Sequence, residues 1–79
     1  MSVFVRMSPL LRKYVPDYDH NEGIVMEKGA GKRISQLAEE LNIPKEMVTS
    51  VLVNRLPSRT GYVAREGDTV LLAMVIGGG

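Results

Sequence analysis

Ile34, Leu37, Ala38 and Leu41 stand at i, i+3, i+4 and i+7 and make a single apolar stripe. This is the one clear helix in a chain of 79 residues. A domain of this size buries only about 60–65% of its unfolded surface, so it has room for one compact core. The other apolar segments are short and strand-like. One helix and several strands under such a limit favour a sheet wrapped over the helix, the stripe forming one wall of the core and one sheet face the other.

The helix has a clear stop and a weak start. Asn42 suits a left-handed position after the last turn, Ile43 supplies the apolar residue beyond it, and Pro44 ends the segment. No Ser, Thr, Asp or Asn stands directly before Ile34 as a cap. Lys32 and Arg33 lie at the positive end of the helix dipole and Glu39 and Glu40 near the negative end, against its preference. Packing of the stripe must therefore hold the helix.

Around it, Val3, Val5 and Met7 alternate with Ser2, Phe4 and Arg6 as a first strand. Leu10, Leu11, Tyr14 and Val15 form an apolar cluster, and residues 16–23 read as loop. Ile24 to Lys28 reads as a second strand, Gly29-Ala30-Gly31 as a turn, and Lys45 to Val48 as a short helical turn. Val51-Leu52-Val53 is a buried-type strand before a turn that begins at Asn54-Arg55. Pro57 to Gly61 reads as loop, Tyr62 to Ala64 as a short edge strand, and Glu66-Gly67-Asp68 as a tight turn. Val70 to Ile76 is the expected final strand.

That apolar run leads directly into Gly77-Gly78-Gly79. Glycine has no Cβ, so such a tail is mobile and thin enough to thread a narrow channel in another protein. The expected organisation is a folded domain over residues 1–76 and a flexible tail over residues 77–79.

Composition removes several functional classes. Cysteine is absent, which excludes disulfides, thiolate metal sites and a cysteine nucleophile. The net charge of +1 argues against a general polyanion binder, so nucleic acid is not expected as a partner. No apolar run approaches the about 20 residues of a membrane span, and the expected location is the cytoplasm. Gly29-Ala30-Gly31-Lys32 departs from a phosphate loop, with Met26 and Arg33 where that motif needs Gly and Ser or Thr. Asp17, Asp19, His20 and Glu22 share a polar loop without metal-ligand spacing, and no metal site is assigned. Arg55, Arg59 and Arg65 surround one loop region and read as a solvated face. No paired carboxylates and no nucleophile with its base stand out as an enzyme site.

With the order of elements in place, the chain resembles the MoaD/ThiS sulfur carriers, small ubiquitin-like β-grasp proteins. The N-terminal piece is Val3-Phe4-Val5-Arg6-Met7 with Leu11-Arg12-Lys13-Tyr14. The middle piece comprises Ile34, Leu37, Leu41, Ile43-Pro44 and Val51-Leu52-Val53-Asn54. The third and most specific is Glu66-Gly67-Asp68-x-Val70, an apolar strand and a terminal Gly-Gly. Three positions depart from the family pattern: Ser8 replaces a common aromatic residue, Arg55 the usual glycine of the turn, and Lys13 an acid. The N-terminal piece looks like the molybdopterin synthase small subunit, while the triple glycine looks more like a thiamin-pathway carrier.

The resemblance implies an α+β fold with a mixed four- to five-stranded sheet packed on one main helix. It implies that an ATP-using partner of the ubiquitin-activating type adenylates the carboxylate of Gly79. A sulfur-donor protein then displaces AMP and leaves a thiocarboxylate. The chain would bind no cofactor itself and would act as a carrier or as the small subunit of a synthase. Gly77 and Gly78 would thread the tail into its partners, and the receiving enzyme would be a large synthase subunit or a thiazole synthase. By analogy with ubiquitin-like folds, Val70 and Leu72 face the helix with Met74 and Ile76, while Leu71, Ala73 and Val75 form an outward docking strip. Three other readings stay open: a thiamin thiazole carrier, a protein modifier conjugated through Gly79, and an interaction module with an inert tail.

Overall fold

Alternation along the first strand sets the architecture. In β1 (Val3–Met7), Val3, Val5 and Met7 are buried while Phe4 and Arg6 are exposed. The strand thus presents one face to a core and the other outward. The computed structural model describes residues 1–76; Gly77, Gly78 and Gly79, assigned above to the tail, lie outside the described residues.

β1 pairs antiparallel with β2 (Ile24–Met26) on one side. On the other it pairs parallel with the last strand in sequence, Thr69–Ala73, setting Val5 beside Val70 and Met7 beside Leu72. That last strand, β5, also pairs antiparallel with β3 (Ser50–Val53), and β3 with β4 (Leu56–Ser58). The result is a five-stranded mixed sheet in the order β2-β1-β5-β3-β4. The chain's final strand therefore occupies the centre of the sheet.

The helix α1 (Ile34–Glu40) buries the expected stripe, with Ile34, Leu37 and Ala38 in one cluster with Val5, Val70 and Leu72. It ends as the sequence predicts: Asn42 has φ 61°, its amide donates to Glu39 O at 2.9 Å, and the Ile43 amide donates to Ala38 O at 3.0 Å. These two bonds and the buried Ile43 make a Schellman closure. Its start is held by a distant segment. The amides of Ile34 and Ser35 donate to Tyr62 O and Thr60 O, each at 2.9 Å. The Arg33 amide donates to Gln36 Oε1 at 2.9 Å. Donors of the first turn are thus satisfied by backbone carbonyls of residues 60–62 and by the Gln36 side chain, although the position before Ile34 carries no Ser, Thr, Asp or Asn.

Two strand expectations are corrected. Tyr62 to Ala64 is not an edge strand; it makes a single bridge, Val63 to Arg33, and runs along the approach to α1. The edge strand beside β3 is Leu56–Ser58, expected as turn and loop. Asn54 and Arg55 have φ 52° and 71° and form a two-residue turn that sends the chain straight back along β3. Positive φ at both turn positions gives the twist that suits a tight hairpin. Pro57 is tolerated because β4 lies at the sheet edge. Among the described residues no helix is long and apolar enough to cross a membrane.

Candidate functional site

The helix lies on one face of the sheet, and the outward strand positions line the other. Register places them in rows. Val25, Phe4 and Thr69 form one row across β2, β1 and β5. Arg6, Leu71, Leu52 and Pro57 form the next, across β1, β5, β3 and β4. Ala73 beside Ser50 begins a third. Phe4 and Val25 are 43% and 52% exposed, enough to make this face apolar towards solvent. Leu71 and Ala73 are half-buried between neighbouring strands and face outward, while Val70 and Leu72 are fully buried beneath them.

The end of β5 is built differently from a continued strand. The sequence favours a strand through Ile76, but ladder pairing stops at Ala73. On one flank β1 ends before Pro9, and on the other β3 begins only at Ser50, so no strand remains to pair with. Two side-chain hydroxyls replace it. The Met74 amide donates to Ser8 Oγ at 3.1 Å and the Val75 amide to Thr49 Oγ1 at 2.9 Å. The same two residues also bond through their own backbone, Ser8 N to Leu72 O at 2.9 Å and Thr49 N to Ala73 O at 3.0 Å. Successive amides of an extended chain point to opposite sides, so one hydroxyl per flank holds the segment on course. Ser8 thus has a defined role at the exit of β5. Val75 lies two residues past the strand and is 67% exposed. Met74 packs on the core as expected, but Ile76 is 69% exposed and does not join Val70 and Leu72.

A polar cluster fastens the opposite end of β5. Asp68, in the Glu66-Gly67-Asp68 turn, is a buried carboxylate, 7% exposed. It accepts from Asn54 Nδ2 at 2.9 Å, from the Tyr62 hydroxyl at 2.8 Å and from the Arg65 amide at 2.8 Å. Asn54 Oδ1 in turn accepts from the Thr69 amide at 2.9 Å. One carboxylate therefore joins the β3–β4 turn, the segment that caps α1 and the start of β5. Burial pushes the Asp68 carboxyl up, but bonds from the Arg65 amide, Asn54 and Tyr62, with the charge of Arg65, outweigh it and leave it below the ordinary value. The Tyr62 phenol is raised, chiefly because its hydrogen bond to Asp68 favours the protonated form. Among the described residues no buried side-chain nitrogen or oxygen lacks a hydrogen-bond partner, and the cluster reads as a structural latch.

Of the loop acids, Asp19 is occupied locally: its Oδ1 accepts from the Asn21 amide at 2.8 Å. Among the described residues no group of three or more His, Cys, Asp or Glu could hold a metal ion. Gly29 is a packing turn: a Cβ there would meet Val3 Cβ at 3.0 Å, and Lys32 Nζ pairs with Glu40 at 2.6 Å. The expected site residues thus separate. Leu71 and Ala73 share the open face, Val75 lies at the root of the tail, and Gly77, Gly78 and Gly79 lie outside the described residues. Sequence reasoning missed Phe4, Leu52 and Val25 on that face, although the alternation of Phe4 and Leu52 with buried neighbours was a usable signal. Compared with known proteins, the chain matches no family model, no curated protein and no solved structure.

Proposed function

We propose that the protein is a ubiquitin-like β-grasp sulfur carrier of the MoaD/ThiS kind, serving molybdopterin synthesis. The supporting observation is the position and exit of β5. The last strand lies in the middle of the sheet, flanked on both sides, and its continuation is steered by Ser8 and Thr49. A rigid domain with a directed exit suits a carrier whose reactive group must reach another protein's active site. Holding that group at a docked surface raises its effective concentration at the acceptor.

The chemistry assigned to this chain is that of a substrate. The α-carboxylate of Gly79 is ionised at neutral pH and is a poor electrophile. Attack of its oxygen on the α-phosphorus of ATP, in the adenylating partner, releases pyrophosphate and forms an acyl-adenylate. Hydrosulfide released by the sulfur donor then attacks the carbonyl carbon, AMP leaves, the sulfur loses its proton, and the thiocarboxylate remains. The folded domain supplies no base for either step; it supplies reach and a docking face that includes Leu71, Ala73 and Val75. Deleting Gly78 and Gly79 should abolish charging by an adenylating enzyme and leave the melting temperature unchanged. A large fall in melting temperature would make the tail structural, and charging of the truncated chain would refute the proposal.

A further inference from the structure

The open sheet face bears cations and no acid. Its outward strand positions include Arg6, and none of them is Asp or Glu. Near its centre is a depression of about 260 Å³ lined by Arg6, Leu52, Arg55, Thr69 and Leu71. Leu52 and Leu71 are register partners and form an apolar floor. Two guanidinium groups rim it. Arg6 donates to His20 O at 3.1 Å and to Asn21 O at 3.0 Å, which holds the side chain without neutralising its charge. Among the described residues neither arginine forms an ion pair.

Arg55 occupies a backbone position that suits glycine. With φ 71° it is the second residue of a turn whose geometry favours Asn-Gly. A large side chain there is a local cost, and such costs concentrate at functional positions. Here Arg55 lines the same depression as Arg6, Leu52 and Leu71. Guanidinium groups next to apolar surface recognise carboxylates well, because the pairing is directional and strengthens as water leaves. A nucleic acid would need a longer track of cations and stacking aromatics than two arginines and Phe4 provide.

We propose that this depression receives a protein segment carrying an apolar side chain seated on Leu52 and Leu71, next to a carboxylate held by Arg55 and Arg6. The inference rests on the reading of this face as a docking surface and adds the chemistry of the partner. Arg55 is then the residue that selects acidic partners from other apolar ones.

The test uses three acetylated, amidated peptides of one length, each with a central Leu flanked by Asp, by Asn or by Lys. Each is titrated into isotopically labelled protein while backbone amide shifts are followed. The Asp peptide should perturb Leu52, Arg55, Thr69 and Leu71 and bind tighter than the Lys peptide by about tenfold or more. Arg55→Gly keeps the turn and should erase that preference; Arg55→Lys should retain part of it. Equal binding of the three peptides at this face would overturn acid recognition and leave the docking face standing. Shifts confined to other surfaces, or none, would overturn both. Tighter binding of a single-stranded oligonucleotide at the same residues would assign the arginines to phosphate and overturn the proposal.

Discussion

Removing the Asp68 carboxylate tests whether the latch holds the sheet to the helix cap. Asp68→Ala deletes three accepted hydrogen bonds at 2.8–2.9 Å from a side chain only 7% exposed. Bonds to a charged acceptor are worth about 1.5–3 kcal/mol each when buried. Asn54 is exposed and can turn its freed side-chain donor to water, which lowers the sum, whereas the Arg65 donor is a backbone amide fixed in the turn. The expected cost is about 2–4 kcal/mol. For a domain of this size that lowers the melting temperature by roughly 10–25 °C. Asp68→Asn should be little better. In one orientation its amide nitrogen faces Asn54 Nδ2, and in the other it faces the Arg65 amide, so donor meets donor either way.

The pH dependence has a definite sign. The folded-state pKa of Asp68 is depressed, so the unfolded chain binds more protons in the window between the two values. The carboxylate's contribution is complete above the ordinary Asp value of about 3.9 and is lost as pH falls through the lower folded value. Chemical denaturation of the parent and Asp68→Ala proteins, from neutral pH downward, should show a stability gap that narrows with acid. A gap below about 0.5 kcal/mol at neutral pH, or one that does not change with pH, would refute the latch.

Leu37→Ala, which empties a fully buried position on α1, should cost about 2–5 kcal/mol in denaturant unfolding, and a loss under about 0.5 kcal/mol would displace the helix register. Leu72→Asp puts a charge into the core and should unfold the domain, whereas Val75→Asp, 67% exposed, should shift stability by no more than about 0.5 kcal/mol. In titrations against an adenylating or receiving enzyme, Val75→Asp should weaken binding, and unchanged affinity would remove Val75 from the docking surface.

What was legible in the sequence follows the range of the interactions. The stripe of α1, its Asn42 stop and the alternation of β1 depend on neighbours within a few residues, and periodicity exposes them. β4 was hidden because Arg55 stands where a glycine would have announced the tight hairpin, and Pro57 spoke against a strand. Residues 62–64 look strand-like on apolar content, yet their partners are backbone groups of residues 31–34, before and at the start of α1, which no local pattern reveals. The hydroxyl contacts at the end of β5 span 66 residues from Ser8 and 26 from Thr49, so the strand appeared longer than its ladder. Apolar side chains at 75 and 76 signalled burial where no strand remained to cover them. Alternation along β5 marks Leu71 and Ala73 as outward-facing, whereas their neighbours Phe4, Leu52 and Arg6 join them only through sheet register.

Intact mass of the protein after incubation with ATP, an adenylating enzyme of the ubiquitin-activating type and a sulfur donor tests the central proposal most directly. A sulfur carrier should gain the mass difference of one oxygen replaced by sulfur, and fragmentation should place it on Gly79. Neighbouring genes and the acceptor that consumes this sulfur would then separate molybdopterin from thiamin synthesis. An unchanged mass under conditions that charge a known carrier, or linkage of the carboxylate to lysines of other proteins, would contradict the account.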